Sequence, residues 1–213
     1  MNTAIIVAAG SGDRLGGEVP KQFIKINNKE ILEFSVNKFS NHPDIHETII
    51  VSHPNWKQHV INKYPRCKII CGGEKRYDSV KNGINAISKN CENVLIHDAA
   101  RPFISNIIID KCISALSKYD CSAPTLPNTN SIIKLDKNNI EYVDRSTIHI
   151  MQTPQCFKKH IIQSILKEKI YATDEVGQLI QKYPHSKIKL IKGDPKNIKI
   201  TYYNDLKLFN KNF

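Results

Sequence analysis

Ile5-Ile6-Val7-Ala8-Ala9-Gly10-Ser11-Gly12-Asp13-Arg14-Leu15-Gly16-Gly17-Glu18-Val19-Pro20-Lys21-Gln22 is an apolar, β-branched run that ends in small residues and glycines and then meets two cations, Arg14 and Lys21, seven residues apart. A chain that wraps a polyphosphate has this form. Glycines let backbone N–H groups reach phosphate oxygens with no Cβ in the way and permit positive φ. The cations then supply charge. The bland alternative is a glycine-rich turn after a first strand. A P-loop is ruled out because Gly-Lys-Ser/Thr is missing. Gly10, Gly12 and Gly16 approach a dinucleotide fingerprint, which wants an acidic residue at the end of the second strand. The second apolar run, Thr48-Ile49-Ile50-Val51-Ser52, instead leads into His53 and Pro54, which weakens that reading.

Composition sets outer bounds. A chain of 213 residues with 40% hydrophobic content can bury a good core as one domain, residues 1–213. No apolar stretch is long enough for a membrane span, and Met1-Asn2-Thr3-Ala4 is too short and uncharged for a signal peptide, so a cytoplasmic protein with no membrane partner is expected. The six cysteines include no Cys-x-x-Cys and no His pair at ligand spacing, which argues against zinc or a disulfide framework. The net charge, 31 − 20 = +11, suits a polyanion. Its lysines are spread along the chain with no aromatic-interleaved patch, so no nucleic-acid partner is expected.

Short apolar runs alternate with segments of helical periodicity, the pattern of an α/β fold: a Rossmann-like three-layer domain with a mostly parallel central sheet. Leu32, Ser35, Val36 and Phe39 share one helix face. Lys68-Ile69-Ile70-Cys71 reads as a strand running into Gly72-Gly73-Glu74-Lys75-Arg76-Tyr77-Asp78-Ser79, a joint whose glycines free the backbone for a ligand, with Val80, Gly83, Ile84 and Ile87 on the following helix. In Asn93-Val94-Leu95-Ile96-His97-Asp98-Ala99-Ala100-Arg101-Pro102, Asp98 ends an apolar strand, where ligands bind in open α/β sheets. It can hold Mg²⁺ bridged to phosphates; a helix cap or an Asp98–Arg101 ion pair is the alternative. A helix through Ile108, Cys112, Ala115, Leu116 and Tyr119 and a strand from Ser122 to Leu126 follow.

From about 127 to 149 the alternation breaks. Two strands, 128–134 and 140–145, joined by Asp136-Lys137-Asn138-Asn139, read as a protruding β-hairpin arm that needs a partner surface. Thr153-Pro154 reads as a bend before a helix carrying Ile161, Ile162, Ile165 and Leu166. Thr173-Asp174-Glu175 reads as a helix cap with acids on its positive end. Lys199, between Ile198 and Ile200, is expected in a strand, pointing away from both.

Ala8-Ala9-Gly10-x-Gly12-x-Arg14 with Pro20-Lys21-Gln22 resembles the signature loop of sugar- and polyol-phosphate nucleotidylyltransferases, most closely the 2-C-methyl-D-erythritol 4-phosphate cytidylyltransferase family. His97-Asp98-Ala99-Ala100-Arg101-Pro102, Met151-Gln152-Thr153-Pro154-Gln155-Cys156-Phe157 and Asn197-x-Lys199-x-Thr201 match further strings of that family in order. The resemblance implies transfer of CMP from CTP to methylerythritol phosphate, with Mg²⁺ and release of pyrophosphate. It implies that Arg14, Lys21 and Lys199 act on the phosphates and that Asp98 holds the metal. Ala8, Ala9, Gly10, Ser11, Gly12, Gly73, Glu74 and Ser79 would bind the nucleotide. It implies too a homodimer whose arm brings Ser131 and Arg145 to the partner's acceptor site, with Arg101 and Thr153 as further acceptor residues. The chain departs from the family at Asn130-Ser131, where Asp-Thr is usual. That change leaves ribitol 5-phosphate as a rival acceptor. The pair following Asp98 speaks against it, because relatives that use ribitol phosphate carry a different pair. An NAD(P)-dependent reductase and a non-catalytic nucleic-acid binder are the readings from other classes.

Overall fold

A computed structural model describes residues 1–11, 19–168 and 172–206. Along the chain it forms β1 (Asn2–Ala8), the two-residue strands β2 (Lys25–Ile26) and β3 (Lys29–Glu30), α1 (Ile31–Ser40), β4 (Glu47–Ser52), α2 (Lys57–Lys63), β5 (Lys68–Cys71) and α3 (Arg76–Asn85). There follow β6 (Asn93–Asp98), α4 (Asn106–Ala115), β7 (Cys121–Pro127), β8 (Ile132–Asp136), β9 (Asn139–Val143), β10 (His149–Met151), β11 (Gln155–Lys158), α5 (Lys159–Ile165), α6 (Glu175–Lys182) and β12 (Ile188–Lys192).

The main sheet runs β10-β7-β11-β6-β1-β4-β5, with β12 on the other edge of β7. β1 pairs in parallel with β4 and β6, β4 with β5, and β7 with β12, so the carboxyl ends of these strands share one edge. β10 and β11 run antiparallel beside β7, and β11 also runs antiparallel to β6.

Alternation along β1 sorts the core into two layers. Ala4, Ile6 and Ala8 face the side of Leu32, Val36 and Phe39 of α1, Val60 of α2 and Ile108 and Cys112 of α4. Ile5 faces the side of Val80 and Ile84 of α3, Ile162 and Ile165 of α5 and Val176 and Leu179 of α6. The result is the expected α/β/α sandwich around a mostly parallel sheet.

Four local expectations need correction. Lys199 lies in irregular chain after β12, not in a strand. Thr153-Pro154 leads into strand β11 before helix α5 begins. The connection opens between Met151, opposite Thr125, and Cys156, opposite Ser122, so four residues of one strand face two of the other and Thr153 is turned toward the end of β6. Residues 128–131 carry no strand, and the hairpin turn is shorter than expected: Asp136 pairs with Asn139 across Lys137-Asn138, Lys137 taking the left-handed conformation (φ 50°). Helix α2 and strand β12, which carry little periodicity, were not anticipated.

The hairpin β8–β9 forms its own two-stranded sheet. Ile133 opposite Tyr142 and Leu135 opposite Ile140 make an apolar face that is 59–70% exposed. Among the described residues, no helix is long and apolar enough to cross a membrane.

Gly83 permits α3 to lie against the sheet. A Cβ there would stand 2.8 Å from Ile5 Cγ2 and 3.0 Å from Val51 Cγ2, both buried. Helix propensity favours replacing glycine by about 1 kcal/mol, whereas overpacking a filled core costs about 1–3 kcal/mol. Gly83→Leu should therefore lower the urea midpoint of unfolding; an unchanged or raised midpoint would show that α3 is not held this closely.

Candidate active site

A cleft of about 200 Å³, room for much more than one water, opens at the carboxyl edge of the sheet. Val7, Ala8, Ala9, Gly10, Lys21, Gln22, Gly73, Glu74, Lys75, Arg76, Ser79, Asp98, Ala99, Ala100 and Lys199 line it. Nine residues singled out from sequence thus meet in one place: Ala8, Ala9, Gly10, Lys21, Gly73, Glu74, Ser79, Asp98 and Lys199. Gly12 and Arg14 lie outside the described residues.

The floor is the turn after β1. Gln22 Nε2 donates to the carbonyls of Ala8 (2.7 Å) and Gly10 (2.8 Å), tying the turn back to the Pro-Lys-Gln element. Phe23, next in sequence, is buried and stacks on Trp56 at 4.4 Å, which anchors that element to the connection before α2. At Gly10 an added Cβ would meet nothing within 4 Å, so the space a ligand would use is open above the backbone. Ser11 is exposed at the rim.

One wall is the β5–α3 joint. A Cβ on Gly72 would collide with the Cβ of Ala9 and the Oγ of Ser79, so glycine is what lets the two loops approach. Ser79 Oγ accepts from Gly73 N at 3.1 Å and is nearly buried, folding the loop from beneath. Asp78 caps α3 by accepting from Lys75 N at 3.1 Å.

The opposite wall is the 193–201 segment, strapped across the end of β6. Gln152 Nε2 donates to the carbonyls of Asp194 and Asn197, Asn197 Nδ2 donates to Thr153 O at 2.9 Å, and Ile200 N donates to Ala100 O at 2.8 Å. These bonds place Lys199 over Asp98 and bring Lys21 Nζ within 3.0 Å of Ile200 O.

Asp98 sits where these parts converge. Its Oδ2 accepts from Lys199 Nζ at 2.8 Å and lies 3.7 Å from Arg101 Nε, while Oδ1 accepts from Arg76 Nε at 3.3 Å. Burial alone would raise its pKa, but Arg76, Lys199 and Arg101 together hold the carboxyl far below the usual carboxylate range. Arg76 also donates through Nη1 to Glu175 Oε1 at 2.6 Å. Burial pushes Glu175 up against the pull of Arg76. Arg76 itself, despite burial, is held protonated by the two carboxylates.

Behind Asp98 runs a hydrogen-bond chain. Asp98 N donates to Thr153 Oγ1 (3.1 Å), and Thr153 Oγ1 is 3.1 Å from His97 Nδ1. His97 Nε2 is 3.0 Å from Arg101 O. A carbonyl only accepts, so the His97 proton is on Nε2, and Thr153 donates to Nδ1. His97 is fully buried, and burial lowers its pKa to about 4, keeping it neutral.

Not every acceptor candidate reaches the cleft. Thr153 lies behind its lining, with its hydroxyl bonded to Asp98 and His97. Arg101 turns inward, donating to Asn197 O (2.9 Å) and Met151 O (3.4 Å), and burial lowers its pKa. Ser131 is exposed beside the hairpin, and Arg145, exposed beyond β9, donates to Thr129 O at 3.0 Å. The cap reading of residues 173–175 holds, since Asp174 Oδ1 accepts from Gly177 N at 2.8 Å. Gln22 and Asn197 stood inside strings read as family elements, Pro20-Lys21-Gln22 and Asn197-x-Lys199-x-Thr201, but with no role of their own; Glu175 was read only as a cap acid, and Arg76, third after the glycine pair, was given no role.

β4 ends in Ser52, whose carbonyl accepts from Gly72 N, so the carboxylate that a dinucleotide ribose would require is missing there.

Comparison with known proteins agrees with this geometry. The family model for IspD, 2-C-methyl-D-erythritol 4-phosphate cytidylyltransferase, matches residues 2–211. Proteins of that name from Clostridium botulinum and Clostridium perfringens are 40% and 37% identical, over 96% and 95% of this chain and 94% of their own. The crystal structure of 4-diphosphocytidyl-2C-methyl-D-erythritol synthase from Anaerococcus prevotii superposes with a TM-score of 0.88 at 26% identity, covering 99% of this chain and 95% of that one. The chain therefore belongs to the 2-C-methyl-D-erythritol 4-phosphate cytidylyltransferase family, the CTP-dependent cytidylyltransferases of isoprenoid synthesis.

Proposed function

We propose that the cleft around Asp98 binds CTP and that methylerythritol phosphate attacks it there. An acceptor phosphate oxygen forms a bond to the α-phosphorus of CTP, the bond to the bridging oxygen breaks, and pyrophosphate leaves with its electron pair. The acceptor is the nucleophile, so the protein needs none. Its task is to hold two polyanions in line and offset their charge. The observation that carries the reading is the meeting of Lys199, Lys21 and Asp98 at a cleft floored by the Ala8–Gly10 turn.

In this reading Lys21 and Arg14 neutralise the triphosphate and the departing pyrophosphate, and Lys199 acts at the α-phosphate. The turn from Ala8 through Ser11 to Gly12, with Gly73, Glu74 and Ser79, holds the nucleoside. Asp98 would hold a divalent cation, Mg²⁺ in the cell. The donor set fits: a single ionised carboxylate of hard oxygens suits Mg²⁺, which keeps waters and takes its remaining ligands from substrate phosphates. When bound, such an ion offsets phosphate charge. Among the described residues the one group of three possible metal ligands, His42, Asp44 and Asp110, lies apart from the cleft, and His42 is already bonded to both acids' segments.

Ser131 and Arg145 would reach the acceptor site of a second copy, with Arg101 and Thr153 supporting the acceptor side from within. The exposed apolar face of β8–β9 favours a homodimer, because a lone two-stranded hairpin gains little by leaving four large side chains in water. The chain would work as one catalytic domain, 1–213, with its dimerisation arm at about 127–149. The six free cysteines suit the cytoplasm.

Pyrophosphate release should be measured with CTP and Mg²⁺ against methylerythritol phosphate, ribitol 5-phosphate and no acceptor. Release with methylerythritol phosphate alone, abolished by EDTA, is expected. Release with ribitol phosphate alone would reassign the acceptor and make Asn130 the residue to examine. In the same assay Lys21→Ala and Lys199→Ala should each lose about 10²–10³-fold in turnover while staying folded; near-normal rates for both would remove them from the chemistry. Leu135→Asp with Tyr142→Asp should convert a dimer to a monomer in sedimentation, and a wild-type monomer at micromolar concentration would contradict the arm's role.

A further inference from the structure

We infer that Glu175 is a positioning residue for the transfer reaction: by holding Arg76, it keeps that guanidinium from capturing both oxygens of Asp98. The inference rests on Asp98 being the working carboxylate of the cleft.

Glu175 does not line the cleft and is 1% exposed. It stands at the start of α6, and this start is fixed rigidly to β11. Gln155 Oε1 accepts from the backbone N–H groups of Glu175 (3.2 Å) and Val176 (3.1 Å), and Gln155 Nε2 donates to Asp174 Oδ2 at 2.8 Å. From there Glu175 Oε1 reaches Arg76, the first residue of α3, which does line the cleft.

The two bonds made by Arg76 are unequal. Its contact with Glu175 is 2.6 Å and its contact with Asp98 is 3.3 Å, so the guanidinium belongs mainly to Glu175. An arginine facing a lone carboxylate frequently takes both oxygens in a fork. Here the fork is split across two carboxylates, and Glu175 Oε2 is left buried with no hydrogen bond among the described residues. A pair that served only stability would be expected to satisfy that oxygen. The split leaves Asp98 Oδ2 to the groups on the other side, where Lys199 stands at 2.8 Å.

Charge counting agrees. Arg76, Arg101 and Lys199 give three positive charges and Asp98 and Glu175 two negative, a net of +1 facing a polyanion. Neutralising Glu175 frees Arg76 to close on Asp98 as a bidentate pair. Arg76 would then compete with the cation at both oxygens of Asp98, where it now meets only Oδ1, although the net charge of the cluster would have become more attractive to CTP. The loss should therefore fall on turnover and on divalent-cation affinity, and not on nucleotide affinity. A packing defect would not separate these.

The test uses the full chain. Glu175→Gln should lose about 10–100-fold in kcat with KM for CTP unchanged or lower. Its Mn²⁺ affinity in the presence of CTP, with the acceptor withheld and binding followed by proton relaxation, should fall about tenfold. Adding Arg76→Lys, whose point charge cannot fork a carboxylate, should recover about tenfold in kcat relative to Glu175→Gln alone. Unchanged kcat and Mn²⁺ affinity in Glu175→Gln, or a double variant as poor as the single one, would overturn the inference. If Glu175→Gln does not fold, Glu175→Asp carries the test: it keeps the charge, so Mn²⁺ affinity within about threefold of wild type supports the inference and a tenfold loss overturns it. Normal turnover of Lys21→Ala and Lys199→Ala would instead mean that the reading of the cleft itself had failed.

Discussion

One carboxylate, that of Asp98, sets the terms for the rest of the structure. It is nearly buried, it remains ionised, and it is contacted by cations from three separate parts of the chain: Arg76 from α3, Arg101 from the turn after β6, and Lys199 from the strap before the carboxyl terminus. Removing that carboxylate would leave Arg101 and Lys199 without their acidic partner. The elements that carry these charges are therefore bound to one another through the site. The apolar strand β6 delivers Asp98 to the sheet edge, and the Thr153–His97–Arg101 chain fixes its backbone from behind.

The sheet explains why the cleft is where it is. β1, β4, β5 and β6 run parallel, so the turns after β1, β5 and β6 gather at one edge, and Gly72 lets two of them touch. The antiparallel β10–β11 run then brings Thr153 level with Asp98 from the opposite direction. Gln152 and Asn197 clamp the last strap over both. A net positive cluster beside an open glycine turn suits phosphates. With no nucleophile required of the protein, most of the catalytic effect has to come from preorganised charge.

How much of this was legible in the sequence follows from the range of each signal. The alternation of β1 and the helix faces of Val80, Gly83 and Ile84 or Ile108 and Cys112 are local patterns, and the layers they imply are the layers found. The glycine turn, Lys21, the Gly73 loop, Asp98 and Lys199 were readable because each sits in a short string of distinctive chemistry. Glu175 and Arg76 are 99 positions apart, and nothing local distinguishes this glutamate from an ordinary first-turn acid. Its partner is known only once α6 is docked on β11. Lys199 was assigned a strand because Ile198 and Ile200 flank it, yet the neighbouring amide is committed elsewhere, Ile200 N bonding to Ala100 O. Thr153 and Arg101 were read as acceptor residues from their strings, and their polar atoms turn inward, Thr153 to Asp98 N and Arg101 to Asn197 O. Which way a side chain turns is not encoded by spacing in an irregular loop.

The claim that Asp98 is the hub of a working cytidylyl-transfer site is tested most directly by Asp98→Asn, an isosteric change that removes only the charge. Pyrophosphate release from CTP should be followed with saturating Mg²⁺ and methylerythritol phosphate, alongside a thermal melt. The account predicts a loss of about 10²–10³-fold in turnover in a protein that still melts cooperatively. Turnover within a few-fold of the unaltered protein would contradict it, and would mean that the carboxylate where these charges meet serves the fold alone.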